Sequence, residues 1–232
     1  MNRKLDVATS LLASGLRFAA GMSTPGKSQR PEQPLELYEF EACPFCRKVR
    51  EALSGLNLDA ILYPCPKNGR FRDVVKKRGG KMMFPFLIDP NTGKEMYESD
   101  DIVRYLAATY ADGKIPLSLS LGPLTNVSSM LASAMRPGRG VVARRSRAPE
   151  KLLELWSFEA SPYCRIVREV LCELQIPYQL HNVAKHSPAR SAFVARSGKM
   201  QVPYLSDPNT QREMFESADI VAYLNQTYAV AE

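Results

Sequence analysis

The chain holds 232 residues, 45% of them apolar, 24% charged and 9% aromatic, with five cysteines and a formal charge of +7. That composition excludes a disordered tail, a collagen-like fibre and a disulfide-stapled miniprotein. The length suits one large domain or two of about 100 residues. Apolar runs fall short of the roughly 20 residues of a membrane span, so a soluble protein with no membrane partner is expected.

In chain order, residues 1–34 carry five basic and two acidic residues. Rich in Arg and Ser, they read either as a targeting segment or as a short amphipathic helix with a linker. Leu35–Phe40 alternates apolar and polar positions and predicts a strand. Pro44 suits the first turn of a helix, with Val49, Leu53 and Leu56 on its apolar face. Ala60–Tyr63 predicts a second strand and Phe71–Arg78 a second helix. Phe84 to Ile88 predicts a third strand carrying an early proline, Asp89-Pro90-Asn91-Thr92-Gly93 a turn, and Glu95–Tyr97 a fourth strand. Ser99 can then cap a last helix faced by Ile102, Val103, Tyr105 and Leu106.

Residues 136–151 hold six basic residues, one acidic residue and no aromatic. A nucleic-acid module would carry its basic residues on a folded face with stacking aromatics, so no nucleic-acid partner is expected. The segment reads as a solvated basic linker, with an acidic partner or anionic surface as the alternative.

From Leu153 the pattern begins again. Residues 35–110 align with 153–228 without a gap at a spacing of 118, and 38 of the 76 pairs are identical. The repeat reaches upstream, where Ser10–Arg17 resembles Ser129–Arg136, and a cleavable signal has no reason to be duplicated inside a chain. The organisation predicted is an N-terminal helix and linker (1–34), a first domain (35–112), a linker with a short helix (113–152) and a second domain (153–230).

Cys43-Pro44-Phe45-Cys46 falls where the first strand meets the first helix. A thiol there faces unpaired backbone N–H groups and the positive end of the dipole, which favour the thiolate. Cys43 is the candidate nucleophile and Cys46 the resolving thiol. Arg47, Lys48 and Arg50 add positive charge, though some are expected to point outward. A structural zinc site or an inert buried pair is the competing reading. No histidine accompanies the pair, Cys65 is the nearest further thiol, and no metal is expected. His181 and His186 are expected on the surface. In the second copy Ser161 replaces the nucleophile and Cys164 is retained, so that copy cannot run a dithiol cycle. Ser161 is left with hydrogen bonding to a bound thiolate, or with no role beyond scaffold. Cys172, inside the second copy's first helix, is expected to be buried.

Together these residues resemble the thioredoxin-like fold, specifically the glutaredoxin-like N-terminal domain of glutathione S-transferases, in tandem as in certain bacterial proteins. The matching features are C-P-F-C or S-P-Y-C at the helix start, Phe84-Pro85 and Val202-Pro203 before a strand, and Glu-Ser-x-Asp-Ile-Val-x-Tyr-Leu near each domain end. The fold implied is α/β, two βαβ-ββα domains joined by a basic linker with a short helix. The resemblance implies cis prolines at Pro85 and Pro203, with the preceding Phe84 and Val202 backbone pairing with the cysteinyl part of glutathione. It places the γ-glutamyl end at Glu98 and Ser99, and at Glu216 and Ser217; plain helix capping is the alternative for the serines. Transferases of this family also carry a long all-helical domain, and here only about 40 linker-like residues separate the copies.

The function implied is that of a cytoplasmic, glutathione-dependent thiol–disulfide oxidoreductase, with glutathione as co-substrate and a homodimer as one possible assembly. Glutathione conjugation through Cys43 or Ser161, and a non-catalytic glutathione-binding redox sensor, are the alternatives.

Overall fold

The computed structural model describes residues 3–17, 20–24, 28–115, 119 and 123–230. Residues 18–19, 25–27, 116–118 and 120–122 of the connecting segments, and two residues at each end, lie outside that description. Helix α1 (Arg3–Leu16) leads into β1 (Leu35–Glu39), α2 (Pro44–Gly55), β2 (Ala60–Pro64), α3 (Arg72–Gly79), β3 (Phe86–Asp89), β4 (Lys94–Met96) and α4 (Ser99–Tyr110). Helix α5 (Pro123–Ala134) then leads into β5 (Leu153–Ser157), α6 (Pro162–Glu173), β6 (Tyr178–Asn182), α7 (Ala189–Ser197), β7 (Tyr204–Asp207), β8 (Arg212–Phe215) and α8 (Ser217–Tyr228).

Both repeats join in one sheet of order β4-β3-β1-β2-β6-β5-β7-β8. Within each repeat the first two strands are parallel and the later pairs antiparallel. The repeats meet where β2 pairs antiparallel with β6, Ala60 opposite Leu180 and Leu62 opposite Tyr178. The order reads the same from either edge and its central pair is antiparallel, so an approximate two-fold axis relates the repeats.

Strand alternation decides the layers. Leu35, Leu37 and Leu62 join Val49, Leu53, Ile102 and Leu106 in one core that continues through Leu155, Val167, Leu171 and Ile220 of the second repeat. The opposite face carries separate aromatic clusters, Tyr38, Phe86 and Val75 under α3, and Trp156, Tyr204 and Phe193 under α7. The repeated Asp-Pro-Asn-Thr turn locks the last helix to the sheet. Asp89 accepts the hydroxyls of Tyr105 and Tyr110 at 2.6 Å each, and Asp207 those of Tyr223 and Tyr228.

The lead-in helices cross over. α1 packs on α6 of the second repeat, α5 packs on α2 of the first, and α1 and α5 touch each other. The Ser10 hydroxyl donates to the Pro162 carbonyl at 2.9 Å, and Ser129, its counterpart, to the Pro44 carbonyl at 2.7 Å. Two residues depart from the sequence-based expectation. Arg136 is no solvated linker residue: it is buried and bound to Glu169 and Asp6, as its counterpart Arg17 is bound to Glu51. Ser99 does not cap α4; Glu98 holds the N-cap position and Ser99 begins the helix, with the same shift at Glu216 and Ser217.

Candidate functional site

Cys43 is the N-cap residue of α2, because Pro44 lacks an N–H and suits the first helical position. Its Sγ accepts the Cys46 backbone N–H at 3.2 Å. The Cys46 thiol also donates to it, and the Phe45 N–H helps, so Cys43 titrates below the ordinary cysteine value despite burial and the charge of Glu39. Burial first, then the bond to Cys43, pushes Cys46 well above that value. Of the two thiols, Cys43 is therefore the more readily ionised.

Phe84, Pro85, Glu98 and Ser99 come together in one cleft of about 310 Å³, with Phe45, Met83 and Tyr97 completing its wall. The Phe84-Pro85 bond is cis. Cys43 is 4% exposed and is not part of that wall, although Phe45, between the two cysteines, is. Glu98 adopts φ 66°, ψ 108°, a conformation that non-glycine residues rarely hold. Phe45, Met83 and Tyr97 have no sequence signal beyond lying next to residues that do.

The second repeat reproduces the frame with different chemistry. Ser161 caps α6, its Oγ accepting the Cys164 N–H at 3.3 Å. Cys164 is fully buried, and burial raises its thiol. Val202-Pro203 is cis, and Glu216 has φ 65°. Here, however, the Glu216 carboxylate already accepts Gln201 Nε2 at 2.5 Å, and the first repeat has Met83 at the position of Gln201.

Arg47, Lys48 and Arg50 correct the expectation that some point outward: each is 1% exposed. They face the other repeat and α5 rather than water. Arg50 pairs with Glu39, Glu41 and Glu159, and its counterpart Arg168 with Glu41 and Glu159. Lys48 bonds Asp100 at 2.5 Å and Asn126 at 2.7 Å. Burial alone would raise Glu159, but Arg168, Arg50, Arg165 and Arg47 outweigh it and hold the carboxyl at about 2. Glu39 is pushed up by burial, against the pull of Arg50.

Cys172 is buried between the repeats, accepting the Glu41 N–H and donating to the Gly140 carbonyl at 3.4 Å each. Ser54 makes the same bridge on the other side, to Glu159 and Gly21. Cys65 is also buried, which raises its thiol. His186 is exposed, but His181 is only partly so, stacked on Trp156 between Asp59 and Glu154. Among the described residues no group of three or more His, Cys, Asp or Glu side chains is placed to hold a metal ion. Nor is any described helix long and apolar enough to cross a membrane.

The family described as glutathione S-transferase, N-terminal domain, matches residues 37–114 and again residues 155–231. No curated protein sequence matches the chain. Among solved structures, Leishmania TDR1, described as a unique trimeric glutathione transferase, aligns over 86% of this chain and 68% of its own, with 14% identity and a TM-score of 0.30.

Proposed function

The chain belongs to the glutathione S-transferase N-terminal domain family, whose domain it carries twice, and from that premise we propose that it is a glutathione-dependent thiol–disulfide oxidoreductase working through Cys43. The observation that carries this reading is the place of Cys43 at the N-cap of α2, its Sγ accepting the Cys46 N–H at 3.2 Å beside a second, buried thiol, an arrangement that lowers Cys43 and raises Cys46. The Cys43 thiolate attacks one sulfur of a disulfide, forming a mixed disulfide and releasing the other half as a thiol. Either Cys46 or a glutathione thiolate then attacks the mixed disulfide. Two glutathione molecules supply the two electrons of the full cycle and leave as glutathione disulfide.

The cleft beside Phe45 supports the glutathione part. Glu98 suits an ammonium, Ser99 at the helix start suits a carboxylate, and the backbone before Pro85 suits the cysteinyl portion. The strained backbone of Glu98 has a purpose on this reading, since it turns a carboxylate to the cleft. The Gln201–Glu216 bond supports the second repeat as a brace rather than a second binding site. The two predicted domains, 35–112 and 153–230, then act as one body through their shared sheet.

Glutathione conjugation to an apolar electrophile is the second reading, favoured by the apolar Phe45, Met83 and Phe84 of the same cleft. Turnover with a glutathione mixed disulfide, run beside a model aromatic electrophile, separates the two. Reduction that survives Cys43→Ser contradicts the first reading.

A further inference from the structure

Helices α1 and α5 are built inside out. A surface helix normally buries its apolar stripe and shows its polar face to water. Here polar side chains take most of the buried positions: Ser10 and Ser14 beside Ala13 on α1, Thr125 and Ser129 beside Ala132 on α5. Those of α1 serve Arg165, whose guanidinium donates to the Ser10 carbonyl at 2.7 Å and the Ser14 hydroxyl at 3.0 Å. The exposed stripes are apolar. Leu5, Leu11 and Leu12 on α1, and Val127, Met130 and Leu131 on α5, are each 50–55% exposed. Exposed positions from Leu5 to Leu16 and from Val127 to Ala134 contain no charged residue.

The two stripes adjoin, since α1 and α5 pack against each other. They present on the order of 600 Å² of apolar surface, at the top of the range a monomer leaves in one patch. A standard interface takes about 800 Å² per partner, so the patch supplies most of one.

We propose that this α1/α5 face is an interface between two copies of the chain. The approximate two-fold axis relates Leu11 to Met130 and Leu12 to Leu131, so the patch is close to self-complementary. Turning a second copy onto it makes a four-helix layer with apolar stripes facing each other. A lipid surface fits less well. Helices that lie on membranes set basic residues along the apolar face; here Arg3 and Lys4 are exposed only in the first turn of α1, α5 has no charged residue, and Arg17 and Arg136 turn inward to Glu51 and Glu169. The interface is independent of the proposed chemistry.

The test is the mass of the full chain in solution. Sedimentation at micromolar concentration should give twice the 25.9 kDa chain mass. Leu12→Glu combined with Leu131→Glu should weaken self-association at least about 30-fold and leave a monomer with unchanged circular dichroism. As a second readout, hydrogen exchange should show α1 and α5 losing protection on dilution of the wild-type chain, while β4 and β8 do not change. A wild-type monomer, a dimer that survives both substitutions, or a monomer that binds phosphatidylcholine–phosphatidylglycerol vesicles through this face would each overturn the proposal.

Discussion

Glu159→Gln tests whether the charges buried between the repeats hold them together. Glu159 receives Arg168 at 2.8 Å and Arg50 at 3.1 Å, and all three side chains are nearly inaccessible. Its folded-state carboxyl, at about 2, lies below the ordinary 4.5, so the ionised form favours folding. The difference corresponds to about 3 kcal/mol, present above pH 4.5 and lost as pH falls towards 2. Removing one partner of a buried ion pair costs about 3–5 kcal/mol in general, which agrees. Urea unfolding of wild type and variant at pH 7 should therefore differ by about 3 kcal/mol, and at pH 3 the gap should be smaller by about 2 kcal/mol. Glu39, raised by burial, works in the opposite sense: its contribution is present below pH 4.5 and lost as pH rises through its folded value. A gap under about 1 kcal/mol at pH 7, or one that does not shrink on acidification, would refute the reasoning.

Cys43→Ser should lower disulfide reduction by at least about 1,000-fold, whereas Cys46→Ser should still form a mixed disulfide with glutathione, detectable by intact mass. Glu98→Gln and Ser99→Ala should each raise KM for glutathione about tenfold with little change in kcat, and Glu216→Gln should change neither constant. Cys172→Ser should unfold within about 1 kcal/mol of wild type, because Ser54 already fills the equivalent place. Cys172→Val, which strands the Glu41 N–H and the Gly140 carbonyl, should cost about 1–3 kcal/mol.

The elements were legible because local pattern and tertiary burial agree. Alternation in Leu35–Glu39 marks the faces that the sheet buries, and Pro44 marks the start of α2. The repeat made the second half readable from the first. What could not be read locally is what covers each helix. Arg47 and Arg50 sit among ordinary helix-surface positions, and only the docking of a second repeat and a crossed α5 turns that surface into an interior. Their recurrence as Arg165 and Arg168, together with Glu41 and Glu159, was the available signal. Ser99 looked like a cap because the serine rule assumes an extended residue at the N-cap. At φ 66° Glu98 takes that place instead, displacing the serine by one position.

The thiol pKa of Cys43 tests the account most directly. It can be taken from the pH dependence of alkylation of the full-length protein, with Cys43→Ser as the blank, and with and without glutathione. The account predicts a Cys43 value below the ordinary cysteine range and alkylation slowed by bound glutathione, while Cys46 does not react at neutral pH. A Cys43 value at or above that range, or an alkylation rate indifferent to glutathione, would contradict it.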